Sequence, residues 1–227
     1  MTPATAAPLH LLYGGTFDPV HLGHLAVARA ALATTGAAHL DFLPAADPPH
    51  RGPPGAAFAD RLDLLRAALA GEPPPTVGTW AIDPREGARQ GPSYTVHTLR
   101  EWRQEHGEAR PLGFVLGADA FLGLTSWHEW RALFGLAHLL VARRPGSVLD
   151  GLPPELRAAL DGRWATEPAD FHTEPSGRVA VLDLPLQPES ATAVREAVAG
   201  RRPPFGLPAG VAAVIAARGL YRDLAPG

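Results

Sequence analysis

Gly14-Gly15-Thr16-Phe17-Asp18-Pro19-Val20-His21-Leu22-Gly23-His24 is the stretch that decides how this chain is read. It follows a short apolar run over 9–13, and from Gly23 onward Leu25, Ala28 and Leu32 recur at helical spacing, which gives the order strand, loop, helix. In open α/β sheets, ligands sit outside the carboxyl ends of strands, and a helix N-terminus offers N–H groups to anions. Two imidazoles three residues apart at such a start face the same side, with Gly23 leaving room for a phosphate to approach. The arrangement suits polyphosphate. The same pair could cap the turn or ligate a metal, but a metal site needs a third ligand, and nothing in the sequence identifies one. Asp18, before a proline at a helix entry, reads as a turn-former rather than a catalytic carboxylate.

The pattern continues on both sides of this loop. Spacing predicts strands over 39–43, 76–82, 112–116, 138–142 and 178–184, and helices over 58–69, 93–106, 126–134, 190–199 and 209–217. Such alternation implies an α/β fold, a Rossmann-like and mostly parallel sheet with helices on both faces and C-terminal helices. One domain over 1–227 is expected, with a core over 1–186, a Pro-rich insert at about 147–177 and a helical part over 187–227.

Composition removes several chemistries. All 20 basic residues are arginine, and the 227 residues include no lysine, asparagine or cysteine, so Schiff-base enzymes, thiol catalysis, zinc-thiolate sites and P-loop NTPases are excluded. The G-x-G-x-x-G and G-x-S-x-G patterns are absent too. A net charge of −3 exerts no general pull on nucleic acid or anionic membrane, so an anionic ligand has to be held locally. Zero cysteines, a Pro-broken start over 1–8 and a longest apolar stretch of only 133–142 lead to the expectation of a soluble cytoplasmic protein, without membrane or nucleic-acid partners.

With these residues in view, the chain resembles the nucleotidyltransferases whose signature is Gly-Gly-Thr/Ser-Phe-Asp-Pro-x-His-x-Gly-His. Within that superfamily it is similar to bacterial nicotinate-nucleotide adenylyltransferases, through Pro48-Pro49-His50-Arg51, Gly91-Pro92-Ser93-Tyr94-Thr95-Val96-His97-Thr98-Leu99, Gly117-Ala118-Asp119-Ala120, Trp127-His128-Glu129-Trp130, Arg143-Arg144-Pro145-Gly146, Ser190-Ala191-Thr192-Ala193-Val194-Arg195 and Gly219-Leu220-Tyr221. The likeness runs in order from about 9 to 222. The late motif departs from the family's Ile-Ser-Ser-Thr-x-Ile-Arg, with Glu189 for the Ile and Ala191 for the second Ser.

The resemblance implies transfer of the adenylyl group of ATP to nicotinate mononucleotide, with release of pyrophosphate, in NAD biosynthesis. Alternatives are another adenylyltransferase of the superfamily, acting on nicotinamide mononucleotide or phosphopantetheine, and a non-catalytic nucleotide sensor. By resemblance His21 and His24 are catalytic and bind ATP together with Gly14, Gly15, Thr16, Phe17, Gly117, Asp119, Arg143, Ser190, Thr192 and Arg195, with Mg²⁺ accompanying the ATP. His50, Arg51, Thr95, Trp127 and His128 are assigned to nicotinate mononucleotide, Trp127 stacking on the pyridine ring and the backbone near Thr95 and His128 meeting its carboxylate. Trp130, Tyr94 and the Phe17 ring are left to packing, and His10, His39, His97, His106, His138 and His172 to ordinary surface or core positions. A homo-oligomer is compatible with all of this.

Overall fold

A computed structural model describes residues 7–49, 52–143, 151–184 and 190–223. Six strands, β1 His10–Gly15, β2 His39–Pro44, β3 Thr79–Ile82, β4 Leu112–Gly117, β5 His138–Arg143 and β6 Val179–Asp183, form one sheet in the order β3-β2-β1-β4-β5-β6. Every adjacent pair is parallel. Around the sheet lie α1 Leu22–Thr35, α2 Phe58–Gly71, α3 Thr95–His106, α4 Ala118–Leu122, α5 Leu133–Leu136, α6 Pro154–Ala159, α7 Asp170–Thr173, α8 Ala191–Ala199 and α9 Ala209–Arg218.

Strand alternation sorts the core into two layers. Leu11, Tyr13, Val115 and Leu140 point to one face and pack with Leu25, Ala28, Leu64, Leu65, Val211 and Ile215 of α1, α2 and α9. Leu12, Phe114, Leu116, Leu139 and Val141 point to the other and meet Val96, Leu99 and Trp102 of α3, together with Phe121 and Leu133. Because both faces are covered, the strands read as near-continuous apolar runs. Each fully buried Leu, Val or Phe contributes about 1.5–3 kcal/mol relative to exposure.

The observed order matters for the site. Connections leave β1 in opposite directions along the sheet, to β2 on one side and eventually to β4 on the other. This reversal opens a crevice at the carboxyl ends of β1 and β4, where α/β folds bind ligands. The loop Gly15–Leu22 and the Gly117 turn both stand there.

One expectation needs correction. The helix predicted over 126–134 is not continuous: Glu129 adopts φ 47°, which splits the segment into short 3₁₀ turns at Leu124–Ser126 and Trp130–Ala132 followed by α5. Among the described residues, the Pro-rich 147–177 segment carries α6, α7 and a bridge from Trp164 to Val179.

Candidate active site

An open cleft of about 1150 Å³ lies across the carboxyl ends of β1 and β4. Pockets for one small ligand run to roughly 300–1,000 Å³, so this cleft has room for more than one substrate. The structure brings together Gly14, Gly15, Thr16, Phe17, His21, His24, Gly117, Asp119, Ser190, Thr192 and Arg195, the residues expected to hold ATP, with Thr95, Trp127 and His128 from the second set. Arg143 ends β5 and is not among the residues lining the cleft. His50 and Arg51 lie outside the described residues.

The glycines at the end of β1 are explained by close approach. A Cβ on Gly14 would stand 2.5 Å from the Phe114 ring, and one on Gly15 would stand 2.9 Å from Phe17. Phe17 itself has φ 49°, a left-handed conformation costly for a bulky side chain. Burial of its ring compensates: it is 2% exposed and packs edge-on against Tyr13, Phe42 and His24 at 5.3, 5.7 and 5.0 Å. The packing role expected for this ring therefore holds, while the turn it forms carries Thr16 and Asp18 to the cleft.

His21 caps α1, and the two imidazoles lie 3.8 Å apart, centroid to centroid. The His21 backbone N–H donates to His24 Nδ1 at 3.2 Å. That bond fixes the tautomer, because a ring nitrogen that accepts leaves the proton on Nε2. His24 is thus set up as an Nε2–H donor. The Leu22 N–H is taken by the Gly206 carbonyl at 2.8 Å, and Gly23, without a side chain, follows it at the cleft wall.

Ser190 caps α8, its Oγ accepting from the Ala193 N–H at 3.1 Å, which aims a second helix N-terminus into the same cleft. Arg195 on this helix donates through Nη1 to the Asp18 carbonyl at 2.7 Å and through Nη2 to Thr192 Oγ1 at 3.4 Å. Its guanidinium therefore bridges α8 and the β1–α1 loop, joining segments 177 residues apart.

A third helix start, Tyr94–Thr95 of α3, forms the opposite wall. Trp127 is partly exposed toward the cleft, whereas Trp130 is 6% exposed in the core, which separates two tryptophans that spacing alone could not. Tyr94, expected only to pack, also lines the cleft and stacks on His128 with ring centroids 4.7 Å apart.

Several residues that shape the site were given no such role from sequence. Asp18 is more than a turn-former: it is 6% exposed, and its carboxylate accepts from Gly55 N–H at 2.7 Å, Ala56 N–H at 3.2 Å and the Tyr221 hydroxyl at 2.9 Å. Burial, reinforced by the Asp18 charge, pushes the Tyr221 phenol well above its ordinary range, so it stays a donor. Arg61, 1% exposed, donates to the carbonyls of Ala56, Thr16, Ala45 and Ala46 and pins the β1–α1 loop to both ends of the β2–α2 loop. Burial lowers its pKa, with the Asp18 charge opposing. Ser93 Oγ accepts from the Ala46 and Asp47 N–H groups, holding the loop after β2 against the start of α3. Glu86, 2% exposed, is held by Thr98 Oγ1 at 2.5 Å and Arg89 Nε at 3.1 Å.

A cytidylyltransferase-like family model matches residues 12–197. The chain belongs to this family. It is 50% identical to a probable nicotinate-nucleotide adenylyltransferase of Stenotrophomonas maltophilia, over 96% of this chain and 99% of that protein. A protein of the same name from Xylella fastidiosa is 46% identical over 84% of this chain and 85% of its own length. The fold matches that of Plasmodium falciparum nicotinic acid mononucleotide adenylyltransferase complexed with NaAD, with a TM-score of 0.73 at 14% identity, over 94% of this chain and 97% of that one.

Proposed function

We propose that this chain is an enzyme that transfers the adenylyl group of ATP to nicotinate mononucleotide, giving nicotinic acid adenine dinucleotide and pyrophosphate in NAD biosynthesis. The observation that carries the reading is the convergence of α1, α3 and α8, each by its N-terminus, on one cleft that also holds His21, His24 and Arg195. N-terminal dipoles, imidazole N–H groups and a guanidinium are donors for phosphate oxygens.

The reaction leaves little covalent work for the protein. A mononucleotide phosphate oxygen forms a bond to the α-phosphorus of ATP as the bond from that phosphorus to the pyrophosphate oxygen breaks, in line. Catalysis is then positioning plus stabilisation of charge on the transferring group. His24 Nε2–H, with its tautomer fixed, and His21 donate to the α-phosphate and its neighbours. Thr16, Ser190, Thr192 and Arg195 hold the β- and γ-phosphates, and Gly117 and Asp119 meet the nucleoside at the β4 turn. The Thr95 amide and the His128 backbone receive the ring carboxylate, with Trp127, and Tyr94 behind His128, bounding the pyridine.

The donor set fits a divalent cation, Mg²⁺, that arrives on the triphosphate. Asp18 and Glu86 are already engaged by N–H, hydroxyl and guanidinium donors, which among the described residues leaves Asp119 and Glu196 as the lining carboxylates able to touch it. When bound it neutralises charge on the phosphates. The test is isotopic: label in the α-phosphate of ATP should appear in the dinucleotide and label in the γ-phosphate in pyrophosphate. Release of γ-label as inorganic phosphate alone would contradict adenylyl transfer.

A further inference from the structure

The sequence reading gave no role to His10 or His39, yet the parallel register sets them side by side. His10 on β1 is the partner of His39 on β2, which is in turn the partner of Thr79 on β3, so the three form one row across the first residues of adjacent strands. Asp41, two residues beyond His39, shares their face. Both imidazoles aim Nε2 at its carboxylate, His10 to Oδ2 at 2.8 Å and His39 to Oδ1 at 3.1 Å. This row lies at the end of the sheet opposite the nucleotide cleft.

We propose that His10, His39 and Asp41 form a binding site for a borderline transition-metal dication of the zinc type. The ligand atoms all lie within 4.8 Å of one another. In a tetrahedral site with bonds of about 2.0–2.1 Å the ligand atoms stand roughly 3.3 Å apart, so the three side chains must close in on the ion, by about 1.5 Å at most for any pair. Two imidazoles and one carboxylate, with water in the fourth position, is a zinc, cobalt or nickel donor set and is wrong for Mg²⁺, which takes oxygen ligands.

Outer partners favour the same ligand atoms. His39 Nδ1 lies 2.7 Å from Thr79 Oγ1, whose own hydroxyl can donate to the Ala38 carbonyl at 3.4 Å. Without an ion, His39 Nε2–H donates to Asp41; when an ion replaces that proton, Thr79 Oγ1 can accept from Nδ1–H and Nε2 is left with its lone pair for the ion, an outer contact of the kind that commonly orients a ligating histidine. Access is graded, the His10, Asp41 and His39 side chains being 9, 17 and 30% exposed. Arg110 stands across the Trp102 ring, near enough for its charge to act on His10.

Calorimetric titration of the full chain with zinc chloride tests the site, with thermal unfolding as a second readout. Wild type should bind zinc at one site, with an unfolding temperature that rises with zinc concentration. Thr79→Val keeps a β-branched residue in β3 and removes only the orienting oxygen; it should weaken binding by about 10–100-fold. His39→Gln should weaken it further, while His128→Gln, in the other histidine cluster (His97, His128, Glu129), should leave it unchanged. No zinc uptake by wild type, equal uptake by His39→Gln, or loss in His128→Gln instead would overturn the proposal.

Discussion

Replacing Tyr221 by Phe removes one oxygen and almost no volume, which makes it a clean probe of how the C-terminal residues are tied to the β1–α1 loop. The hydroxyl donates to Asp18 Oδ1 at 2.9 Å, and both residues are nearly inaccessible, at 4 and 6% exposure. A hydrogen bond to a charged acceptor contributes about 1.5–3 kcal/mol. Asp18 keeps the Gly55 and Ala56 N–H groups in the variant, so its carboxylate is not stranded and the loss should stay near 2 kcal/mol. With a urea dependence of about 2 kcal/mol per molar, the unfolding midpoint should fall by roughly 1 M with unchanged slope. Asp18→Asn should cost more, about 3 kcal/mol, because its NH₂ must face at least one N–H or O–H donor that the carboxylate accepted. A Tyr221→Phe midpoint within about 0.2 M of wild type, on the slope range typical of small proteins, would refute the reasoning.

His24→Ala should lower kcat by about 10²–10³-fold, the loss seen when one donor to a charge-developing oxygen is removed, with the fold retained by circular dichroism. Arg195→Ala should weaken ATP binding by calorimetry far more than binding of the mononucleotide, by about 1.5–3 kcal/mol for a charge-assisted contact; unchanged ATP affinity would remove Arg195 from the phosphate site. His138 is fully buried, its Nδ1 accepting from the Arg178 N–H and its Nε2–H donating to the Glu174 carbonyl, and burial lowers its pKa from 6.5 to about 4. Between those values the unfolded chain binds the extra proton, so this contribution is complete above pH 6.5 and is lost as pH falls through about 4, roughly 3 kcal/mol at 1.36 kcal/mol per unit. Urea midpoints at pH 7 and 4.5 should differ by less in His138→Gln than in wild type.

What was legible in the sequence was what neighbours in sequence could carry. The eleven residues from Gly14 to His24 hold the strand end, the turn and both imidazoles together, so the fold and the place of the two imidazoles at the cleft could be read from them. The strands were found because both faces are buried and the runs are apolar. Asp18, by contrast, takes its meaning from Gly55, Ala56 and Tyr221, up to 203 residues away. Arg61 resembles any arginine on an amphipathic helix until four carbonyls are seen to converge on it. The helix predicted over 126–134 failed because Glu129 takes a left-handed backbone that its residue type does not announce. The His10, His39 and Asp41 cluster needed the register of two parallel strands, which local pattern does not contain.

The identity of the adenylyl acceptor is the central claim, and the ratio of kcat/KM for nicotinate and nicotinamide mononucleotides tests it most directly. Thr95 and His128 line the cleft, and in the proposed function their backbone N–H groups satisfy both oxygens of the ring carboxylate. An amide would turn its NH₂ toward one of them, and each donor left unpaired costs roughly 1–3 kcal/mol. Two such losses predict more than about a hundredfold preference for the acid, at tenfold per 1.36 kcal/mol. Trp127→Ala should lower kcat/KM for both substrates while leaving most of that ratio. Measured by pyrophosphate release with ATP saturating, a ratio above a hundred in favour of the acid is the predicted result, and equal use of the two mononucleotides would contradict it.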